Sequence, residues 1–154
     1  MNSRLNESIK GLMLAVRELD MDDIIEDIPK TMEKFMGCSG KMVKPAPRTV
    51  EKLIGQIRRG KLTTLVHLRE KLAIDFGVET ACPAATLKAL VAISKQEKPK
   101  SYWRVLKPKG ELISKFPYGL DHHAEQLEVE GFEIDFSKKT PVVLDYSSKL
   151  FMWA

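Results

Sequence analysis

The chain has 154 residues, of which 44% are hydrophobic and 30% are charged, and its net charge is +4. This composition is sufficient for one globular domain with a buried core, and it excludes a mainly disordered chain. No run approaches the roughly 20 consecutive apolar residues of a membrane-spanning helix, and the first residues lack the pattern of a secretion signal. We therefore expect a cytoplasmic protein without a membrane partner.

The charge is unevenly distributed along the chain. Residues 1–40 carry 5 basic and 8 acidic side chains, residues 41–115 carry 17 and 6, and residues 116–154 carry 3 and 7. We call residues 41–115, with their net charge of +11, the basic block. Such a concentration of one sign is typical of a surface that binds a polyanion. The alternative is a solvated lysine-rich face without a partner.

The N-terminal part is predicted to form two amphipathic helices. Apolar residues recur at helical spacing in two sets, Leu5, Ile9, Leu12, Met13 and Val16, then Ile24, Ile25, Ile28, Met32, Phe35 and Met36. Pro29 predicts that the second helix either kinks there or begins nearby. Glycines and prolines then mark a linker, and we place a domain boundary at about residue 44. Residues 1–36 are a predicted homodimer contact.

Three short helices follow within the basic block. Thr49 is predicted to cap a helix that ends near Ile57, and Thr63 or Thr64 to cap a second that ends near Phe76. A third is predicted from Pro83 or Ala84 to about Gln96. This arrangement indicates a helix-turn-helix core, with a three-helix bundle that does not bind DNA as the alternative.

The remaining chain predicts two hairpins and one helix. Residues 102–106 and 111–113 flank a Pro-Lys-Gly turn and predict a hairpin that would form the wing of the core. A helix is predicted through Leu120, Ala124 and Leu127, and a second hairpin through residues 132–136 and 142–146. The predicted fold is mostly α with short β hairpins, a winged-helix-like domain over residues 45–154 with a two-helix N-terminal appendage over residues 1–44.

Several short motifs occur in a familiar order. They are GKLTT at 60–64, the helix from Lys88 to Lys95, YWRVL at 102–106 before KGEL at 109–112, and YGL at 118–120 with LEVEG at 127–131. Together, over residues 47–136, they resemble the C-terminal DNA-binding domain of alkylguanine-DNA alkyltransferases and alkyltransferase-like proteins. The resemblance implies double-stranded DNA as partner, bound in the minor groove, and rotation of an alkylated guanine out of the duplex.

The chain departs from this family at the alkyl acceptor. The family carries Pro-Cys-His-Arg, whereas this chain has Ser101, Tyr102, Trp103 and Arg104. A phenol with a pKa of about 10 is a poor substitute for a thiolate, so methyltransferase activity is not expected. Alkyltransferase-like proteins also lack the cysteine and mark the lesion for repair proteins. The resemblance therefore predicts a non-catalytic protein that senses alkylated guanine.

The resemblance assigns two sets of residues. Leu65 aligns with the residue that rotates the base, and Lys88 aligns with the residue that fills the vacated stack. The predicted DNA-binding residues are Thr63, Thr64, Leu65, Lys88, Lys95 and Arg104. The predicted lesion pocket consists of Tyr102, Trp103, Phe116, Tyr118 and Glu130. Core packing is the alternative for the aromatic residues, helix capping for the threonines, and a solvated surface for the lysines.

Two other functions remain open from the sequence. Cys82 precedes a predicted helix N-terminus, which lowers a thiol pKa, so thiol-dependent alkyl transfer through Cys82 is one alternative. A protein-interaction or regulatory module on a relic fold is the other. His122, His123 and Glu125 lie together, but adjacent histidines on a helix point about 100° apart, so we expect no metal site and no cofactor.

Overall fold

The computed structural model describes residues 21–153, and these residues form five α-helices and seven short strands. The helices are α1 (Lys30–Met36), α2 (Pro47–Ile54), α3 (Leu65–Phe76), α4 (Pro83–Ser94) and α5 (Gly119–Val129). The strands are β1 (Ile24–Asp27), β2 (Lys41–Lys44), β3 (Thr63–Thr64), β4 (Thr80–Ala81), β5 (Val105–Leu106), β6 (Ile134–Asp135) and β7 (Val142–Val143). Three 3-10 turns span Tyr102–Arg104, Pro108–Gly110 and Tyr146–Lys149. No helix within residues 21–153 has the length and apolar character needed to cross a membrane.

The segment before Pro29 is a strand, although its apolar spacing predicts a helix. β1 pairs antiparallel with β2, with Ile25 opposite Val43, and β2 pairs in parallel with β4. This pairing satisfies the backbone groups of β1 that face β2, since β1 is the edge strand, and isoleucine suits an extended chain. α1 begins directly after Pro29, which is one of the two predicted alternatives. The first predicted helix lies outside the described residues, and the homodimer contact stays a prediction.

Helix α2 begins two residues before Thr49, the predicted cap. Its N-cap is Ala46, and Pro47 lies in the first turn, where a missing N–H leaves no partner unsatisfied. The Asp23 carboxylate accepts hydrogen bonds from the Ala46 N–H (2.7 Å) and the Thr49 hydroxyl (2.8 Å). The Asp23 side chain, which precedes β1, thus anchors the start of this helix. The helix also ends at Ile54 instead of Ile57.

Helices α3 and α4 form the predicted helix-turn-helix core. Thr64 caps α3 by accepting a hydrogen bond from the His67 N–H, and Pro83 lies in the first turn of α4. α3 ends at Gly77, whose φ of 64° is the left-handed conformation that terminates helices. One face of α4 is buried against α2 and α3, through Thr86, Ala89, Leu90 and Ile93. Its other face remains exposed.

The first predicted hairpin is wrong, and the second is confirmed. Residues 102–104 form a 3-10 turn, and β5 pairs in parallel with β3 instead of with residues 111–113. β3 and β5 thus form a two-stranded sheet whose four residues are all buried. The local turn pattern gives no indication of this pairing, because the two strands are far apart in the chain. β6 and β7 form the second hairpin, with Ile134 opposite Val143. α5 lies where predicted and ends just before Gly131.

His123 joins α5 to two earlier parts of the chain. The Ile113 N–H donates to Nδ1 of His123 (3.1 Å), so Nε2 carries the ring proton and donates to the Trp103 carbonyl (2.8 Å). Burial lowers the pKa of His123 to about 4, against the opposing effect of these two hydrogen bonds. The buried imidazole is therefore neutral at physiological pH.

We expect the free energy of unfolding to fall as the pH falls from about 6.5 to about 4. The pKa of His123 is lower in the folded state, so the unfolded state binds more protons in this range and acid favours unfolding. The full difference corresponds to about 3 kcal/mol. Urea unfolding at several pH values measures it, with His123→Gln as the comparison. Equal pH dependence in both proteins would contradict the assignment.

Candidate nucleic-acid interface

The exposed face of α4 forms a groove with apolar and cationic walls. The groove has a volume of about 490 Å³ and is lined by Ala84, Leu87, Lys88, Val91, Ala92, Lys95 and Lys115. Lys88 and Lys95 are exposed and lie on one face, as their spacing predicts. Within residues 21–153, neither lysine has an ion-pair partner. We call this surface the α4 groove, and its free cations suit phosphate groups.

A second concavity adjoins the α4 groove at Lys95. This cleft has a volume of about 530 Å³ and lies between the C-terminal end of α4 and one face of α5. Its lining is Ser94, Lys95, Gln96, Glu97, Pro99, Tyr102, Trp103, Pro117, Tyr118, His122 and Gln126. We call it the aromatic cleft. A ligand bound along α4 could therefore extend one group into it without leaving the protein surface.

The predicted pocket residues divide between the cleft and the core. Tyr102 lines the cleft although it is only 4% exposed, and its ring packs edge-to-face on Trp103 and Phe116. Phe116 does not line the cleft: it packs behind Tyr102 and against His123. Burial and the neighbouring Tyr118 raise the pKa of Tyr102. Its phenol is therefore protonated at neutral pH and is not a nucleophile.

Glu130 and Arg104 form a buried ion pair. This contact differs from their predicted roles, which are lining the lesion pocket for Glu130 and binding DNA for Arg104. Arg104 Nε donates to both Glu130 oxygens at 2.9 and 3.1 Å, and its Nη1 donates to the Ile57 carbonyl at 2.6 Å. Glu130 also accepts hydrogen bonds from the Trp103 indole and the Gly60 N–H. The two side chains are 12% and 3% exposed. Arg104 is thus not part of the basic surface, and Glu130 does not line the cleft.

Hydrogen bonding keeps the Glu130 carboxylate charged in this position. Burial alone would raise its pKa, but the hydrogen bonds from Trp103, Gly60 and Arg104 outweigh this effect, and the net pKa is lowered. Trp103 stands where the resembled family has histidine, and its indole N–H supplies the bond to this carboxylate. The side chain of Trp103 therefore has two roles, in the cleft wall and in the ion-pair network.

The residues at the start of α3 are not placed for phosphate contact. Thr63 is completely buried and Thr64 is 3% exposed. The Thr64 hydroxyl caps α3 and lies 2.8 Å from Nδ1 of His67. Leu65 is partly buried and packs against the main apolar core. Both threonine hydroxyls are thus buried in this structure, and helix capping explains Thr64.

Cys82 lies away from the aromatic cleft. It is the N-cap of α4 and packs with Ile28 and Met42, whereas the cleft adjoins the other end of this 12-residue helix. A helix of this length spans about 18 Å. A thiol at this position cannot reach a group held in the cleft. Within residues 21–153, no three His, Cys, Asp or Glu side chains are grouped as metal ligands.

Two residues of α5 that line the cleft were not among the predicted site residues. His122 and Gln126 are four residues apart on one face of α5, and Tyr118, just before the helix, contacts the ring of His122. Lys115 in the α4 groove was also missed. The four-residue spacing of His122 and Gln126 is the sequence signal for their shared face. The adjacent histidines at 122 and 123 suggest metal binding first, which obscures this signal.

The comparisons with known proteins identify the fold. The structure of Schizosaccharomyces pombe Atl1 in complex with damaged DNA containing O6-carboxymethylguanine is 19% identical, with a TM-score of 0.52. A structure of the S. pombe alkyltransferase-like protein (ATL) in complex with DNA is 20% identical, with a TM-score of 0.50. Each match covers 69% of this chain and 94% of the other. No family model and no curated protein sequence matches. The chain therefore has the alkyltransferase-like fold, with its helix-turn-helix.

We expect Glu130→Gln to destabilise the protein by about 3 kcal/mol, because breaking a buried ion pair leaves Arg104 without its counter-charge. Urea unfolding measures the effect. Lys71→Gln is a matched control, since its ion pair with Asp75 is more exposed and joins neighbouring turns of one helix; its loss is expected to cost less than about 1 kcal/mol. Equal losses in the two variants would contradict the structural role of Glu130.

Proposed function

We propose that this protein binds duplex DNA without catalysis and senses alkylated guanine that has been rotated into the aromatic cleft. The observation that carries the proposal is the continuity of the α4 groove with the cleft at Lys95. The groove has the length and charge to follow the DNA backbone, and the adjoining cleft has room for a base outside the stack.

The charge distribution supports DNA as the partner. Lys88, Lys95 and Lys115 line the groove, and none of them has an ion-pair partner among residues 21–153. Each phosphate contact by such a cation releases counterions and adds affinity that does not depend on base sequence. The apolar side chains between the lysines suit the sugar edges of a minor groove.

The solved structures with the same fold support alkylated guanine as the lesion. Atl1 of S. pombe was solved with damaged DNA that contains O6-carboxymethylguanine. The cleft of the present chain is lined by Tyr102, Trp103 and Tyr118, and aromatic side chains favour stacking with an extruded base.

The cleft chemistry supports binding without transfer of the alkyl group. Tyr102 stands at the acceptor position and its pKa is raised, while Cys82 lies at the opposite end of α4. A protein that binds the lesion without repairing it leaves the damage in the DNA. The completion of repair therefore requires other repair proteins as partners.

We expect DNA affinity to fall as the salt concentration rises, and Lys88→Ala and Lys95→Ala each to reduce the slope of log K against log salt by about 1. Fluorescence anisotropy with a labelled duplex at several salt concentrations measures this slope. Lys71→Ala is the control, because it removes the same charge from a lysine that is paired with Asp75 on α3. Affinity independent of salt would overturn the DNA-binding proposal.

We expect a duplex with one O6-methylguanine to bind about tenfold more tightly than the same duplex with guanine, because a damaged base costs less free energy to rotate out of the duplex than a normally paired guanine. Competition binding measures the ratio. Mass spectrometry of the protein after incubation is expected to show no added methyl group. Equal affinities for the two duplexes would overturn lesion sensing. A methylated Cys82 peptide would show that the protein transfers the methyl group instead of only binding the lesion.

A further inference from the structure

We propose that Tyr118, His122 and Gln126 form the surface of the cleft that holds the extruded base, Tyr118 by stacking and the other two by hydrogen bonds. This inference rests on the proposed function and assigns base recognition to α5. Neither His122 nor Gln126 belongs to the pocket that the sequence resemblance predicts.

The three residues form one continuous wall. His122 and Gln126 lie one turn apart on the same face of α5, and Tyr118, the N-cap, joins them through the contact of its ring with the His122 ring. All three line the aromatic cleft. Glu130, four residues after Gln126, accepts the hydrogen bond of the Trp103 indole. This bond holds α5 against Trp103, which also lines the cleft.

His122 and Gln126 retain hydrogen-bonding groups for a ligand. Their one mutual hydrogen bond joins Nε2 of Gln126 to Nε2 of His122 at 3.3 Å, and neither side chain has another hydrogen-bond partner within residues 21–153. The amide oxygen of Gln126 and Nδ1 of His122 therefore remain free. The adjacent His123 differs, because both of its ring nitrogens bind the backbone inside the core. Base edges present donors and acceptors that such groups recognise.

Tyr118 is exposed and has an unfavourable backbone conformation. It is 86% exposed, and its φ of 69° lies in the left-handed region, which is costly for a tyrosine. Its ring contacts His122 edge-to-face at 5.2 Å. Neither the exposure nor the backbone conformation contributes to folding stability. Strained residues of this kind persist at binding sites, where the ring is available to stack on a base.

The opposite wall of the cleft completes the site. It is formed by the end of α4 and the residues after it, including Lys95 and Glu97. Lys95 also belongs to the α4 groove, so it lies where the backbone of a rotated nucleotide would enter the cleft. The base would then lie between this wall and the polar wall of α5, above Tyr102.

The test compares three variants on two duplexes of one sequence, with guanine or O6-methylguanine at the same position. We expect His122→Ala and Gln126→Ala each to lower the preference for O6-methylguanine by about threefold to tenfold, the effect of one hydrogen bond. Tyr118→Asn is expected to lower it by about tenfold through lost stacking. Affinity for the guanine duplex is expected to change less than about twofold, because these residues lie outside the α4 groove.

The controls separate recognition from stability. Glu125→Ala changes an exposed residue of α5 outside the cleft lining and is expected to keep the wild-type preference. Asparagine tolerates the left-handed conformation, so the urea midpoint of Tyr118→Asn is expected not to fall. A lower midpoint with unchanged preference would show a structural role for Tyr118 and overturn its stacking role.

The failures of the two proposals are distinguishable. If the wild-type protein prefers O6-methylguanine and all three variants keep that preference, the assignment to α5 is wrong and the proposed function stands. If the wild-type protein binds both duplexes equally, lesion sensing and the assignment to α5 are both overturned.

Discussion

The buried ion pair of Glu130 and Arg104 is the interaction on which the arrangement of the site depends. Glu130 closes α5, and its carboxylate accepts hydrogen bonds from the Trp103 indole, the Arg104 guanidinium and the Gly60 N–H. Three parts of the chain thus meet at the Glu130 carboxylate. They are the loop at Gly60 before the helix-turn-helix, the turn at Trp103 and Arg104 beside the cleft, and α5, which forms one wall of the cleft. Because an unpaired charge inside a protein is strongly unfavourable, these parts are constrained to remain together.

The basic block is less uniform in the structure than in the sequence. Lys41 and Lys44 pair with acidic residues of β1, and Arg69 donates to the Ala81 carbonyl on β4. These cations stabilise the small sheet, and Arg104 belongs to the interior. The lysines on the exposed face of α4 remain without ion-pair partners within residues 21–153, so part of the positive charge that is available to a polyanion lies along this helix and beside the cleft.

Phe116 and Tyr102 illustrate how much of the candidate site could be predicted. Both follow from the family resemblance, but only Tyr102 lines the cleft, because Phe116 turns inward and packs between Tyr102 and His123. The pattern of aromatic residues in the sequence does not show which rings line the cleft and which rings pack behind that lining. The cleft residues His122 and Gln126 were missed for the complementary reason: polar residues on a helix are ordinarily solvated, and only the neighbouring end of α4 makes this face a wall.

The sequence by itself determined the features that depend on neighbours within a few residues. These are the cap of α3 at Thr64, the start of α4 at Pro83, the position of α5 and the common face of Lys88 and Lys95. The tertiary structure was needed for the strand at Ile24–Asp27, the hydrogen bonds of Asp23 to the start of α2, the parallel pairing of β3 with β5 and the interior position of Arg104. Each of these joins groups that are far apart in the chain. The buried backbone and charged groups must find hydrogen-bond partners once the core forms, and which partners are in reach is set by packing, not by local sequence.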